Sequence, residues 1–224
     1  MKIEIYGVRG SIPTPGESTK IYGGNTSCVF VELANGDNLI LDAGTGICNL
    51  GKKLGNYHDD IIILTTHNHW DHIQGFPYFT PIFEKNCNIT IIPGAIENTD
   101  NDMILRQMSG SNHPIKYTQL PANIELKETL SRQPSFTIKT FLIKTQQLNH
   151  PDGGSAYCIY GDGKKLAYVT DNELSPPKKV KTTWHQWLEF VADADVLIHD
   201  AQYIDDDMPA KHGWGHSTYN DVIK

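Results

Sequence analysis

No apolar run in this chain approaches the ~20 residues a membrane span requires, and its N-terminus, MKIEIYGVRG, lacks the long apolar core of a secretion signal. Cysteine is scarce. The four thiols, Cys28, Cys48, Cys87 and Cys158, stand far apart and never as C-x-x-C, which argues against a zinc knuckle or a disulfide framework and for plain buried thiols. Positive charge is also in deficit: a formal net charge of −7 at pH 7 disfavours a broad nucleic-acid surface, though not a local basic groove. There is neither an internal repeat nor a low-complexity linker. Membrane, fibrous and disulfide-stapled classes fall away, and one cytoplasmic domain over residues 1–224, with a substantial core, is expected.

What is present reads mostly as strand. Lys2–Val8, Cys28–Leu33, Asn38–Asp42 and Ile61–Thr65 have strand character, with Asn35-Gly36-Asp37 closing a hairpin between the second and third. Further strands are expected at Ile89–Ile92, Phe136–Thr145, Ala156–Tyr160, Lys165–Thr170 and Val196–His199, and helices at Ile47–Leu54, Ile96–Met108 and Thr183–Ala192. A layered α+β architecture fits. Ser109–Gln133 has no clear period and reads as a surface loop or lid.

The densest chemistry lies in Thr66-His67-Asn68-His69-Trp70-Asp71-His72, directly after Ile61-Ile62-Ile63-Leu64. Residues i and i+2 of an extended segment point the same way, so His67 and His69 can converge on one point just past the strand. If the chain then turns into a helix, Asp71 and His72 face a second point nearby, an arrangement suited to two metals sharing one solvent oxygen. A solvated or core histidine is the ordinary reading of one imidazole, not of three with an aspartate in this spacing. Further ligands must come from other strand ends. His150 precedes a Pro/Gly turn after a long strand, and Asp171 ends another, where a carboxylate can bridge two cations.

His67-Asn68-His69-Trp70-Asp71-His72, then His150, then Thr170-Asp171 resembles the metallo-β-lactamase superfamily. That resemblance implies a four-layer αββα sandwich with a dinuclear site. It assigns His67, His69 and His150 to one metal, Asp71 and His72 to the other, and Asp171 to both. Two divalent ions are implied, zinc by donor type, with manganese or iron compatible. Asp42-Ala43-Gly44 is similar to the family's strand-end Asp-Gly turn, in which the aspartate supports the metal ligands; His199 is a further candidate for orienting one of them. Asp71 would also orient the attacking water. His58, His113 and His185 receive no role.

The pattern identifies the fold better than the reaction. Gly7–Gly16, Tyr22–Cys28 and Gly213-Trp214-Gly215-His216-Ser217-Thr218 are similar to the phosphodiesterase branch, which includes tRNase Z and cyclic-phosphate diesterases. There the equivalent of His216 contacts the scissile phosphate and assists the leaving oxygen. The implied substrate is a small or cyclic phosphodiester, because the twenty residues between His150 and Asp171 leave no room for tRNase Z's RNA-gripping arm. No large nucleic acid and no membrane partner is expected. Homodimerisation is common in that branch, without a feature of its own here. An ester, lactone or thioester hydrolase, or a non-catalytic member, are the alternatives. The family's last metal ligand, a histidine on a final strand, has no counterpart before Lys224, so a truncated sandwich lacking its last helix and strand, and a weak second site, are expected.

Overall fold

The computed structural model describes residues 1–55, 60–97 and 101–224; His58 lies outside them. The chain divides into two compact units, one of Met1–Pro93 and Asp100–Glu128, the other of Gly94–Thr99 and Thr129–Lys224.

The first unit is built on a six-stranded mixed sheet of β1 (Lys2–Gly7), β2 (Cys28–Glu32), β3 (Asn38–Leu41), β4 (Ile61–Leu64), β5 (Asn88–Ile92) and β6 (Asn123–Leu126), in that spatial order. The β1–β2 and β2–β3 pairs are antiparallel, while β3 through β6 run parallel. All four residues of β4 are buried, as expected of an interior parallel strand enclosed on both faces. Helix α1 (Gly46–Leu54) turns Ile47 and Leu50 into a core with Phe30, Ile40, Ile63, Phe76 and Phe79. Each such side chain contributes roughly 1.5–3 kcal/mol of burial. Two single-turn helices, α2 (Trp70–Ile73) and α3 (Met103–Arg106), complete the unit.

In the second unit a five-stranded mixed sheet runs β11-β10-β9-β8-β7, from β7 (Ser135–Ile138), β8 (Phe141–Gln147), β9 (Ser155–Gly161), β10 (Lys164–Val169) and β11 (Val196–His199). Helix α4 (Trp184–Val191) lays Trp187 against Leu148, Ala156 and Val169. Its start is capped reciprocally by Thr183 and Gln186, which satisfies amides that would otherwise lack partners. Short helices α5 (Met208–Lys211) and α6 (Tyr219–Val222) follow, the latter capped by the Thr218 hydroxyl.

Two mixed sheets with flanking helices make an α+β architecture, consistent with the αββα sandwich expected. Three local expectations change. Phe136–Thr145 is two strands, because the chain reverses at Lys139, whose φ is +48°, and β7 pairs with β8. The stretch expected as a loop contributes β6, an edge strand whose residues are only half-buried or exposed and so leave a weak pattern. Of the helix expected over Ile96–Met108, α3 forms among the described residues. No helix among the described residues is long and apolar enough to cross a membrane.

Candidate metal centre

In the first unit the parallel pairing of β3 and β4 brings their C-terminal ends to one sheet edge, where strand ends in α/β sheets characteristically present functional groups. Asp42 follows β3 and adopts a left-handed φ of +58°, a conformation that aspartate tolerates better than most residues. Its fully buried carboxylate accepts from the Thr66 amide at 2.7 Å, the Thr66 hydroxyl at 3.0 Å and His72 Nδ1 at 2.8 Å. An ionised carboxylate only accepts, so the hydroxyl hydrogen of Thr66 points to Asp42 and its oxygen is left to accept from His67 Nδ1, 3.1 Å away. Both rings therefore carry their proton on Nδ1 and present Nε2 as a lone pair.

Three imidazoles pack together as a result. The His67 ring centroid lies 4.5 Å from that of His69 and 4.2 Å from that of His72. Helix α2 turns Asp71 back so that its Oδ2 lies 3.5 Å from His72 Nε2, and the Ser11 amide fixes that oxygen at 2.7 Å. His67, Asp71 and His72 are buried, whereas Trp70 between them is 70% exposed, so the turn sorts chemistry inward and indole outward. Close backbone packing holds the turn: a Cβ on Gly75 would meet the Gly44 carbonyl oxygen at 2.1 Å.

The second unit repeats the logic. Strands β8 and β10 each pair antiparallel with β9, so they point the same way and deliver His150 and Asp171 to one edge. Asp171, at φ +48°, is a second left-handed aspartate. His150 Nδ1 donates to the Gly215 carbonyl at 3.0 Å, which leaves Nε2 facing Asp171 Oδ2 at 3.8 Å. His216 stands beside them, its ring 5.3 Å from that of His150 and nearly edge-on. Its Nδ1 lies 3.2 Å from Asp200 Oδ2, an oxygen that also accepts the Ser217 amide at 3.0 Å. His199 donates from Nδ1 to the Asp200 carbonyl at 2.6 Å and has Nε2 3.5 Å from Asn172 Nδ2, next to Asp171. Burial lowers its pKa, against the pull of the Asp200 carbonyl and charge.

The donor chemistry fits a divalent cation. In each unit an imidazole nitrogen faces a carboxylate oxygen, His72 against Asp71 and His150 against Asp171, two donor atoms that a shared cation would bring together. In each, the remote ring nitrogen is engaged by a carboxylate or carbonyl, the arrangement that orients metal-ligating histidines. The thiols stand apart from this chemistry: all four cysteines are free, and burial pushes Cys87 and Cys158 up to about 11.

Sequence reasoning put Asp42, His67, His69, His150, Asp171 and His199 at or just past strand ends, Asp71 and His72 in a following helix and His216 in the Gly213–Thr218 segment; the first six lie at or just past strands, Asp71 and His72 lie in α2, and His216 lies in the loop before α6. It did not find Thr66, which links Asp42 to two rings, nor the pairing of Asp200 with His216, nor the buried Glu173. Such partners carry no spacing signal. Among the remaining histidines, His113 stacks edge-on to Tyr78 at 5.8 Å and His185 pairs with Glu189 on the surface of α4.

Comparison with known proteins gives concordant matches. The family model described as "Beta-lactamase superfamily domain" matches residues 37–224. A ribonuclease Z from Pyrobaculum aerophilum is 25% identical over 244 residues, spanning 100% of this chain and 81% of that protein. One from Halobacterium salinarum is 23% identical over 256 residues, spanning 97% and 80%. Among solved structures, the short form of human tRNase Z superposes with a TM-score of 0.66 at 21% identity, covering 98% of this chain and 85% of that one. The metallo-beta-lactamase fold protein YhfI from Bacillus subtilis gives 0.64 at 16% identity, covering 96% and 76%.

Proposed function

The chain belongs to the metallo-β-lactamase superfamily, on its ribonuclease Z-like branch, and from that premise we propose that this metal-dependent hydrolase cleaves small or cyclic phosphodiesters in the cytoplasm. By the family pattern, His67, His69, His150 and Asp171 would hold one ion, and Asp71, His72 and the shared Asp171 would hold the other. Bound there, two divalent ions, zinc by donor type with manganese or iron compatible, supply an acidified water for attack and draw charge from the phosphoryl oxygens.

The chain's own groups carry the rest. Asp71, with one oxygen held by the Ser11 amide, orients the attacking water. Asp42 keeps the protons of His67 and His72 on Nδ1, through Thr66 for the first and directly for the second. His216 is the general acid: Asp200 holds Nδ1, which leaves Nε2 to give its proton to the departing oxygen. In the imidazolium form, with Nδ1 facing the Asp200 carboxylate, its charge would offset the negative charge that grows on the leaving group.

The observation that carries this reading is the His216–Asp200 pair, an oriented imidazole outside the proposed ligand set yet packed edge-on to His150. A small substrate rather than RNA is supported by the twenty residues after His150: β9, the turn Asp162-Gly163 and β10 use fifteen of them, leaving no room for a protruding arm there. Four free thiols suit a reducing compartment.

The test is turnover of bis-p-nitrophenyl phosphate, cyclic nucleotides and p-nitrophenyl acetate with added Zn²⁺ or Mn²⁺. His216→Ala is expected to lower phosphodiester turnover about 10²–10⁴-fold while ester turnover stays within threefold (about) of the parent. Phosphodiester turnover that survives the substitution rejects the assignment, and a preference for esters or lactones points to carboxylic-ester hydrolysis instead.

A further inference from the structure

Glu173 stands two residues beyond Asp171 and is 1% exposed, yet it carries a carboxylate. Burying an anion is strongly unfavourable unless donors replace its hydration. Here they do. The Gly213 amide donates to both carboxylate oxygens at 3.0 Å, the Gly215 amide donates to Oε2 at 3.0 Å, and His212 Nε2, which donates to the Ser175 carbonyl at 2.8 Å, lies 3.3 Å from Oε1. The amides can converge because Gly213 and Gly215 have φ of +92° and +86°, which β-carbon-bearing residues rarely adopt.

The peptide units so gathered adjoin the one that orients His150. The Gly215 amide is held by Glu173, while the carbonyl of the same residue receives His150 Nδ1. The approach is close: a Cβ on Gly215 would sit 2.2 Å from that nitrogen. The next residue is His216. Ser217 ties the far side of the loop to the Glu173 segment, its hydroxyl donating to the Asn172 carbonyl at 2.6 Å and accepting the Leu174 amide at 3.1 Å.

We propose that Glu173 is a positioning residue which, by gathering the amides of Gly213 and Gly215, sets both the Nδ1–H tautomer of His150 and the pose of His216 against Asp200. It touches neither ring and acts through the backbone of one loop. The part concerning turnover rests on the proposed function; the part concerning ring protonation and loop order does not.

Two substitutions separate the possibilities. Glu173→Gln keeps the shape but replaces one acceptor with an NH₂ group that faces an amide hydrogen. Glu173→Asp keeps the charge with a shorter reach. In metal-free protein, amide exchange at Gly213 and Gly215 is expected to accelerate about tenfold to hundredfold in Glu173→Gln, the loss of one charge-assisted bond at 1.4 kcal/mol per tenfold. ¹⁵N spectra of the His150 ring should move from one tautomer to a mixture. For phosphodiester turnover, kcat should fall about tenfold with KM changed less than twofold, as for a group that acts on pose rather than on ground-state affinity. Glu173→Asp should recover part of every change.

Unchanged exchange at both glycines, or a single His150 tautomer in Glu173→Gln, overturns the proposal. If that variant does not fold, the parent protein decides: fast exchange of the Gly215 amide or an Nε2–H tautomer of His150 overturns it, and slow exchange with Nδ1–H supports it. If loop and ring respond as stated but no phosphodiester is hydrolysed by the parent, the proposed function fails and the positioning role stands.

Discussion

Replacing Asp42 with asparagine tests whether one carboxylate decides which nitrogen of His72 is free. The isosteric amide offers one oxygen and one NH₂ where the parent has two acceptors. With its oxygen toward the Thr66 amide, the NH₂ faces His72 Nδ1, and the ring must carry its proton on Nε2, the atom 3.5 Å from Asp71. Flipped, the oxygen serves His72 and the NH₂ meets the Thr66 N–H, donor against donor. Either way one charge-assisted bond is lost in a fully buried site, about 1.5–3 kcal/mol. In the first orientation that loss appears as a tautomer penalty on metal binding, roughly tenfold to hundredfold in affinity. In the second it appears as reduced stability of the metal-free protein. Zn²⁺ affinity from competition with a chromophoric chelator, urea unfolding of metal-free protein and ¹⁵N spectra of the His72 ring read the two separately. An Asp42→Asn protein with affinity within twofold (about) of the parent, stability within roughly 0.5 kcal/mol and an Nδ1–H ring would refute the reasoning.

Two further outcomes are expected. Gly75→Ala drives a methyl into the Gly44 carbonyl oxygen at 2.1 Å and Ile47 Cγ2 at 2.8 Å, so urea unfolding should show a loss of about 1–3 kcal/mol; an unchanged midpoint would mean the turn yields freely. His199 has a folded-state pKa held below its ordinary value by burial, so below the unfolded pKa near 6.5 the unfolded chain binds the extra proton and stability falls with pH until the folded pKa is passed. His199→Asn should remove up to about 1.4 kcal/mol per pH unit of that decline below pH 6.5, and equal slopes for the two proteins would contradict it.

Much of the candidate metal centre was legible because its residues announce themselves by local spacing. His67, His69, Asp71 and His72 lie within six consecutive residues after a strand whose all-apolar sequence marks it as interior. His150 and Asp171 were readable as strand ends, since Pro/Gly turns and aspartates punctuate strands. The helpers were not readable, because each acts across the chain: Thr66 on Asp42 over 24 positions, Asp200 on His216 over 16, Glu173 on Gly215 over 42. Only the fold brings them together. The reversal at Lys139 was hidden for another reason, since neither Lys139 nor Thr140 is a usual turn former and strong pairing of β7 with β8 imposes the left-handed backbone there. Strand β6 escaped notice because an edge strand needs only one buried side.

The tight hairpin between β9 and β10 has a consequence for how such a protein can diversify. Its turning residues, Asp162 and Gly163, both have positive φ, suited to the handedness of the flanking strands. They stand at the opposite end of these strands from His150 and Asp171, about 20 Å away at 3.3 Å per residue. Surface turns accept insertions at small thermodynamic penalty. An appendage grown at this tip would add a new grip on larger partners while the reacting edge kept its geometry, so recognition and chemistry can change independently at the two ends of the same pair of strands.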